Sequence, residues 1–112
     1  MQFLIDEPVQ SQSRLTLLFA HGAGAGMDSD FMQGLAGAIA AQGVRVARFE
    51  FPYMVRRRQD GKKRLPDSMP LLVEGFLKAV ALQGGPENCV AVGKSMGGRV
   101  ASLLLAQNGC AA

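Results

Sequence analysis

Ser95 stands at the centre of Gly93-Lys94-Ser95-Met96-Gly97, with the apolar run Cys89-Val90-Ala91-Val92 before it and a helical pattern after it. A serine in Gly-x-Ser-x-Gly spacing, held on a sharp strand-to-helix turn, is placed to act as a nucleophile. A turn that tight brings the two backbones so close that side chains two residues either side of the serine would clash, which gives both glycines a mechanical reason. Gly97 and Gly98 together open the helix, at a propensity cost on the order of 1 kcal/mol each relative to Ala, so a packing reason is required. The plainer reading is a serine that caps an ordinary helix.

A second constellation, His21-Gly22-Ala23-Gly24-Ala25-Gly26, directly follows the apolar run Leu15 to Ala20. A serine nucleophile needs donors aimed at the developing oxyanion, and a glycine-rich loop presents backbone N–H groups. The N–H of Ala23, paired with the N–H of Met96, fits that role; a plain strand-to-helix turn is the alternative. His21 is the chain's only histidine. It is a candidate general base, although a histidine at this position more simply orders the loop by hydrogen bonding. Seventeen residues follow Ser95, and none is Asp, Glu or His.

Two other motifs are excluded or weakened by spacing. For a phosphate loop ending at Gly93-Lys94-Ser95, the first glycine would fall on Asn88. For a dinucleotide fingerprint beginning at Gly22, with Glu50 as the ribose-binding acid, the third glycine would be residue 27, which is Met. Nucleotide binding survives only as a minor alternative.

With 48% apolar residues in 112, the chain reads as one globular domain, residues 1–112. The formal charge is +3, yet Arg56 to Arg64 holds six basic residues and one acid, a local +5 that leaves −2 elsewhere. Basicity confined to one segment, without interleaved aromatic residues, argues against a nucleic-acid surface. The segment reads as a long solvated loop, or as an attractor of anionic ligands at the sheet rim. Cys89 and Cys110 lack the spacing of a metal site or disulfide framework. The N-terminus has no basic n-region, and no apolar run approaches a membrane span. A cytoplasmic protein with no membrane partner, no metal and no cofactor is the expectation.

These motifs require a scaffold. Gln2 to Asp6 reads as a short strand, Leu15 to Ala20 as a strand buried on both faces, and Val44 to Phe49, with alternating polarity, as a strand nearer the sheet edge. Asp28, Ser29 or Asp30 caps a helix from Phe31 to Gln42 with Phe31, Leu35, Ala38 and Ile39 on its apolar face, stopped by Gly43. Asp67 or Ser68 caps another, with Leu71, Leu72, Gly75, Phe76, Ala79 and Val80 as its stripe, stopped at Gly84-Gly85-Pro86. The strand Cys89 to Val92 and a helix from Met96 to about Gln107, ended by Asn108-Gly109, complete the pattern. Strands alternating with helices give an α/β fold with a mostly parallel sheet, a three-layer sandwich.

Phe19-Ala20-His21-Gly22-Ala23-Gly24 and Gly93-Lys94-Ser95-Met96-Gly97-Gly98-Arg99, in that order, resemble the α/β-hydrolase superfamily. In detail they are similar to a small hydrolase branch related to a testis-expressed protein and to a subunit of a nuclear histone-acetyltransferase complex. The resemblance runs from about Leu15 to Gln107. It implies that Ser95 is the nucleophile, that Ala23 and Met96 donate to the oxyanion, and that a small acyl substrate is hydrolysed through an acyl-Ser95 intermediate. In that superfamily an acid and then a histidine follow the serine, whereas every Asp of this chain precedes Ser95. The expectation is therefore the N-terminal half of such a fold, truncated or completed by another chain and weakly active alone, with an unpaired edge at the Cys89 to Val92 strand open to self-association or a partner. A non-catalytic interaction module on the same fold is the alternative.

Overall fold

The computed structural model describes residues 1–108; Gly109 and Cys110, named above, lie outside the described residues. Four strands form one sheet: β1 (Phe3–Asp6), β2 (Thr16–Ala20), β3 (Arg45–Phe49) and β4 (Cys89–Gly93), in the order β1-β3-β2-β4. The strands β3, β2 and β4 are parallel, with Ala20 opposite both Phe49 and Gly93. β1 runs antiparallel on the outside of β3, Phe3 against Phe49 and Asp6 against Val46. β2 lies between two parallel neighbours, which is why a continuous apolar run rather than an alternating one encodes it.

The period of two along each strand sorts side chains between two helical layers. Phe19 and Val46 point to the face covered by α1 (Asp30–Ala41), where they meet Met32 and Ala36. Leu18, Ala20, Ala47, Phe49 and Ala91 point the other way, into a larger core shared with α3 (Met69–Leu82) and α4 (Met96–Asn108). Phe49, Phe51 and Phe76 stack edge-on at its centre, with ring centroids 4.9 to 6.3 Å apart. Two helical layers enclosing a mostly parallel sheet make the three-layer α/β sandwich that the alternating pattern predicts. The radius of gyration, 13.2 Å, is that of a fully collapsed chain of this length, about 13 Å.

Local signals fix the helix ends. Ser29, of the three candidates, caps α1 by accepting from Met32 N at 3.3 Å, and Gly43 leaves the helix at φ 96°. Ser68 is the N-cap residue of α3, and Gly84 and Gly85 both adopt positive φ after it. No helix among the described residues is long and apolar enough to cross a membrane.

Three expectations are corrected. The apolar face of α1 is Met32, Ala36 and Ala40, with Ile39 half-buried, while Phe31 and Leu35 are 51% and 39% exposed. Alanines let the helix approach the sheet more closely than a stripe of Phe and Leu would. In α3, Leu71 lies outside the buried stripe. Finally, the basic run is not one long loop: Pro52–Asp60 forms a helix, α2, carrying Arg56, Arg57 and Arg58. Pro52 occupies its first turn, Gly61 closes it at φ 72°, and Asp67 Oδ2 accepts from Tyr53 N at 2.9 Å. Only Tyr53 and Met54 of this helix are buried.

Candidate active site

Ser95 occupies the two-residue turn between β4 and α4. Its φ is 54°, and it is the one non-glycine with positive φ among the described residues. A β-carbon on Gly97 would stand 2.6 Å from His21 O and 2.7 Å from Ala20 O, and one on Gly98 would stand 2.9 Å from Gly93 O. A β-carbon on Gly93 would overlap the backbone of Gly97 and Gly98. The three glycines are therefore required by backbone packed on backbone. Lys94 N donates to Ala20 O at 3.0 Å, and Gly97 N to Lys94 O at 3.0 Å, so the turn is also hydrogen-bonded to β2. Met96 is the first residue of α4, so its N–H is among those a helix leaves without an intrahelical acceptor.

The glycine-rich loop after β2 faces this turn. A cavity of about 310 Å³ is lined by Gly22, Ala23, Gly24, Ala25, Ser29, Met32, Lys94 and Ser95. A β-carbon on Gly22 would lie 3.8 Å from that of Ser95. The topology thus brings Ser95, Ala23 and Met96 together at one rim of the sheet.

The loop is gripped residue by residue. His21 is fully buried, with its ring edge-on to Phe51 and Tyr53. Phe51 N donates to His21 Nε2 at 3.1 Å, so that nitrogen is unprotonated; Nδ1 carries the hydrogen and donates to Gly22 O at 2.6 Å. Burial, the largest influence, lowers the His21 pKa and keeps the ring neutral. Both nitrogens are therefore engaged within the loop and α2, and neither is left for Ser95. The Tyr53 hydroxyl donates to Ala23 O at 3.0 Å, and burial pushes its pKa up to about 12, so it stays a donor. Arg57 Nη1 donates to Gly24 O at 3.0 Å.

Charged side chains, two of them buried, hold the far end of the loop. The Glu50 carboxylate accepts from Met27 N at 3.1 Å, and Arg48 Nη1 donates to Met27 O at 2.9 Å. Arg58 bridges Glu50 and Asp28, with Nε at 3.0 Å from Glu50 Oε1. The hydrogen bonds to Glu50, then those to Asp28, hold the Arg58 guanidinium firmly charged, and the Arg58 guanidinium lowers the Asp28 pKa. Arg48 also pairs with Asp6 at 3.0 Å, while its buried Nε has no partner among the described residues. Glu50, considered above for a ribose, has both oxygens engaged by the loop and α2.

Tyr53, Arg57, Arg58, Glu50 and Arg48 were not legible as parts of the site, because each reaches the loop from more than 20 residues away. The one available signal was Pro52 and Gly61 bracketing a helix. No group of three or more metal-ligating side chains occurs among the described residues.

Comparison with known proteins agrees with this architecture. No curated protein matches the sequence significantly. Among solved structures, an alpha-beta serine hydrolase homologue from Coxiella burnetii aligns with a TM-score of 0.69 at 21% identity, covering 95% of this chain and 52% of that one. The chain therefore spans about half the length of that structure. At this identity the likeness is one of fold. A family model described as an alpha/beta hydrolase domain matches residues 13–112, from the approach to β2 through the Ser95 turn. On that match, the chain belongs to the alpha/beta hydrolase domain family.

Proposed function

We propose that the site performs acyl transfer to water, with Ser95 as the nucleophile. Ser95 Oγ attacks the carbonyl carbon of an ester, thioester or amide; the carbonyl oxygen becomes an oxyanion held by the N–H groups of Ala23 and Met96. Collapse expels the alcohol, thiol or amine and leaves acyl-Ser95, which water hydrolyses to the carboxylic acid and free serine. His21 acts as the residue that orders the oxyanion loop, since both of its nitrogens are committed there. The proton of Ser95 must then pass to a group outside this cluster, and the chain by itself is a weak catalyst. Oxyanion stabilisation and binding alone leave roughly 10³ to 10⁴ over water in comparable sites.

The observation that carries this reading is the Ser95 backbone at φ 54°, sustained by glycine contacts that no side chain would permit. Strain of this kind persists only where surrounding structure enforces it. The test is intact mass after treatment with a fluorophosphonate. A single adduct mapped to Ser95, absent in Ser95→Ala, supports the nucleophile. An unmodified chain would count for a non-catalytic module on the same fold.

A further inference from the structure

We infer that the acyl substrate carries an anionic group a few bonds from its scissile carbonyl, and that Lys94 is the residue that selects it. The inference rests on the acyl-transfer reading and names its substrate class. Of the eight residues that line the cavity beside Ser95, Lys94 is the only charged one, and none is acidic. Its side chain lies along the wall towards α1, with Nζ 4.6 Å from the centroid of the Phe31 ring. Phe31 is the large aromatic residue that α1 leaves half exposed instead of burying. A lysine resting on an aromatic face is held at the cavity and still has its hydrogen-bond donors to offer a ligand.

The neighbouring charges sharpen the selection. Glu50 and Asp28, the acids that brace the loop, are both paired with Arg58, and Asp30, exposed beside Phe31 in the first turn of α1, does not line the cavity. No carboxylate lies within ion-pair distance of Lys94 or Arg57 among the described residues. Arg57 donates only to the neutral carbonyl of Gly24, on the loop that forms the opposite wall. A substrate entering between Lys94 and that loop therefore meets the charge of Lys94 in a cavity whose lining holds no carboxylate. Because Lys94 directly precedes the nucleophile, a carboxylate two methylenes from the carbonyl falls within its reach, and a cation there would be repelled.

Ligand binding to the full chain carrying Ser95→Ala tests this without depending on reactivity. Monomethyl succinate and the neutral methyl butyrate are titrated separately, and backbone amide shifts are followed by heteronuclear NMR. The expected result is saturable shifts at Lys94 and Phe31 with monomethyl succinate, at an affinity at least about fivefold above methyl butyrate. The preference should vanish in Lys94→Gln and survive in Lys94→Arg. Equal affinity for the two esters, no saturable shift, or a preference that persists in Lys94→Gln overturns the proposal. A failure of the nucleophile reading appears elsewhere, as the absence of a fluorophosphonate adduct on the wild-type chain.

Discussion

Replacing Ser95 by glycine should make the protein more stable than replacing it by alanine, the reverse of what the two residues do in most structured positions. At φ 54° a β-carbon crowds the following carbonyl oxygen, a cost of about 1–2 kcal/mol for any L-residue. Glycine avoids it but loses more backbone freedom on folding, a penalty of about 0.5–1 kcal/mol. Ser95 is exposed, so neither substitution forfeits much buried surface, and the difference left is about 0.5–1 kcal/mol in favour of Ser95→Gly. For a chain of this size that is roughly 2–6 °C in melting temperature. Urea unfolding followed by circular dichroism, fitted with a common slope, resolves it. Gly34→Ala supplies a control of opposite sign: Gly34 lies on exposed α1 surface with nothing within 4 Å of an added β-carbon, so alanine there should gain up to about 1 kcal/mol. If Ser95→Gly proves equal to or less stable than Ser95→Ala, the turn is not strained in solution, and the argument from its geometry to a nucleophile loses its footing.

The two ends of the Glu50–Arg58 ion pair, of which only Glu50 is buried, should respond unequally. Arg58→Ala leaves the Glu50 carboxylate buried with only Met27 N–H and should cost about 3 kcal/mol, whereas Glu50→Gln leaves an Arg58 that is 46% exposed and still paired with Asp28 and should cost less, about 1–2 kcal/mol; equal losses in denaturant titrations would refute this. The buried, neutral His21 makes stability fall as the pH is lowered. Its folded pKa lies below the unfolded value of 6.5, so the unfolded state binds the extra proton first. Stability is complete above about pH 6.5 and declines as the pH drops towards the folded value, by at most about 1.4 kcal/mol per unit. His21→Asn should flatten that part of the profile, and identical slopes in both proteins would show that another group is responsible.

The tight turn at Ser95 and the glycine loop were legible because their determinants are contiguous: an apolar strand, then glycines at positions where backbone meets backbone. The order of strand and helix was legible for the same reason. The face of α1 was not, because Phe31, Met32, Leu35, Ala36, Ile39 and Ala40 surround the helix with apolar residues, and periodicity alone does not choose among them. Contact distance chose the smaller ones. Helix α2 was missed because it buries only Tyr53 and Met54, so its composition reads as solvated. The roles of its arginines depend on partners at Gly24, Asp28 and Glu50, which no local pattern announces. Three arginines of the charge run are ion-paired within the molecule, Arg56 with Asp67, Arg58 with Glu50 and Asp28, and Arg64 with Asp60, while Arg57 donates to the neutral Gly24 carbonyl.

The grip on the loop also has a temporal side. The groups that hold its carbonyls or Met27, namely His21, Ser29, Arg48, Glu50, Tyr53 and Arg57, and the Arg58 that holds Glu50, all lie between residues 21 and 58. The ribosome makes them all before it reaches Ser95, a lead of about 2–7 seconds at 5–20 residues per second. The loop therefore has its full set of supports while β4 is still unmade. The order of synthesis places the supports of the loop ahead of Ser95.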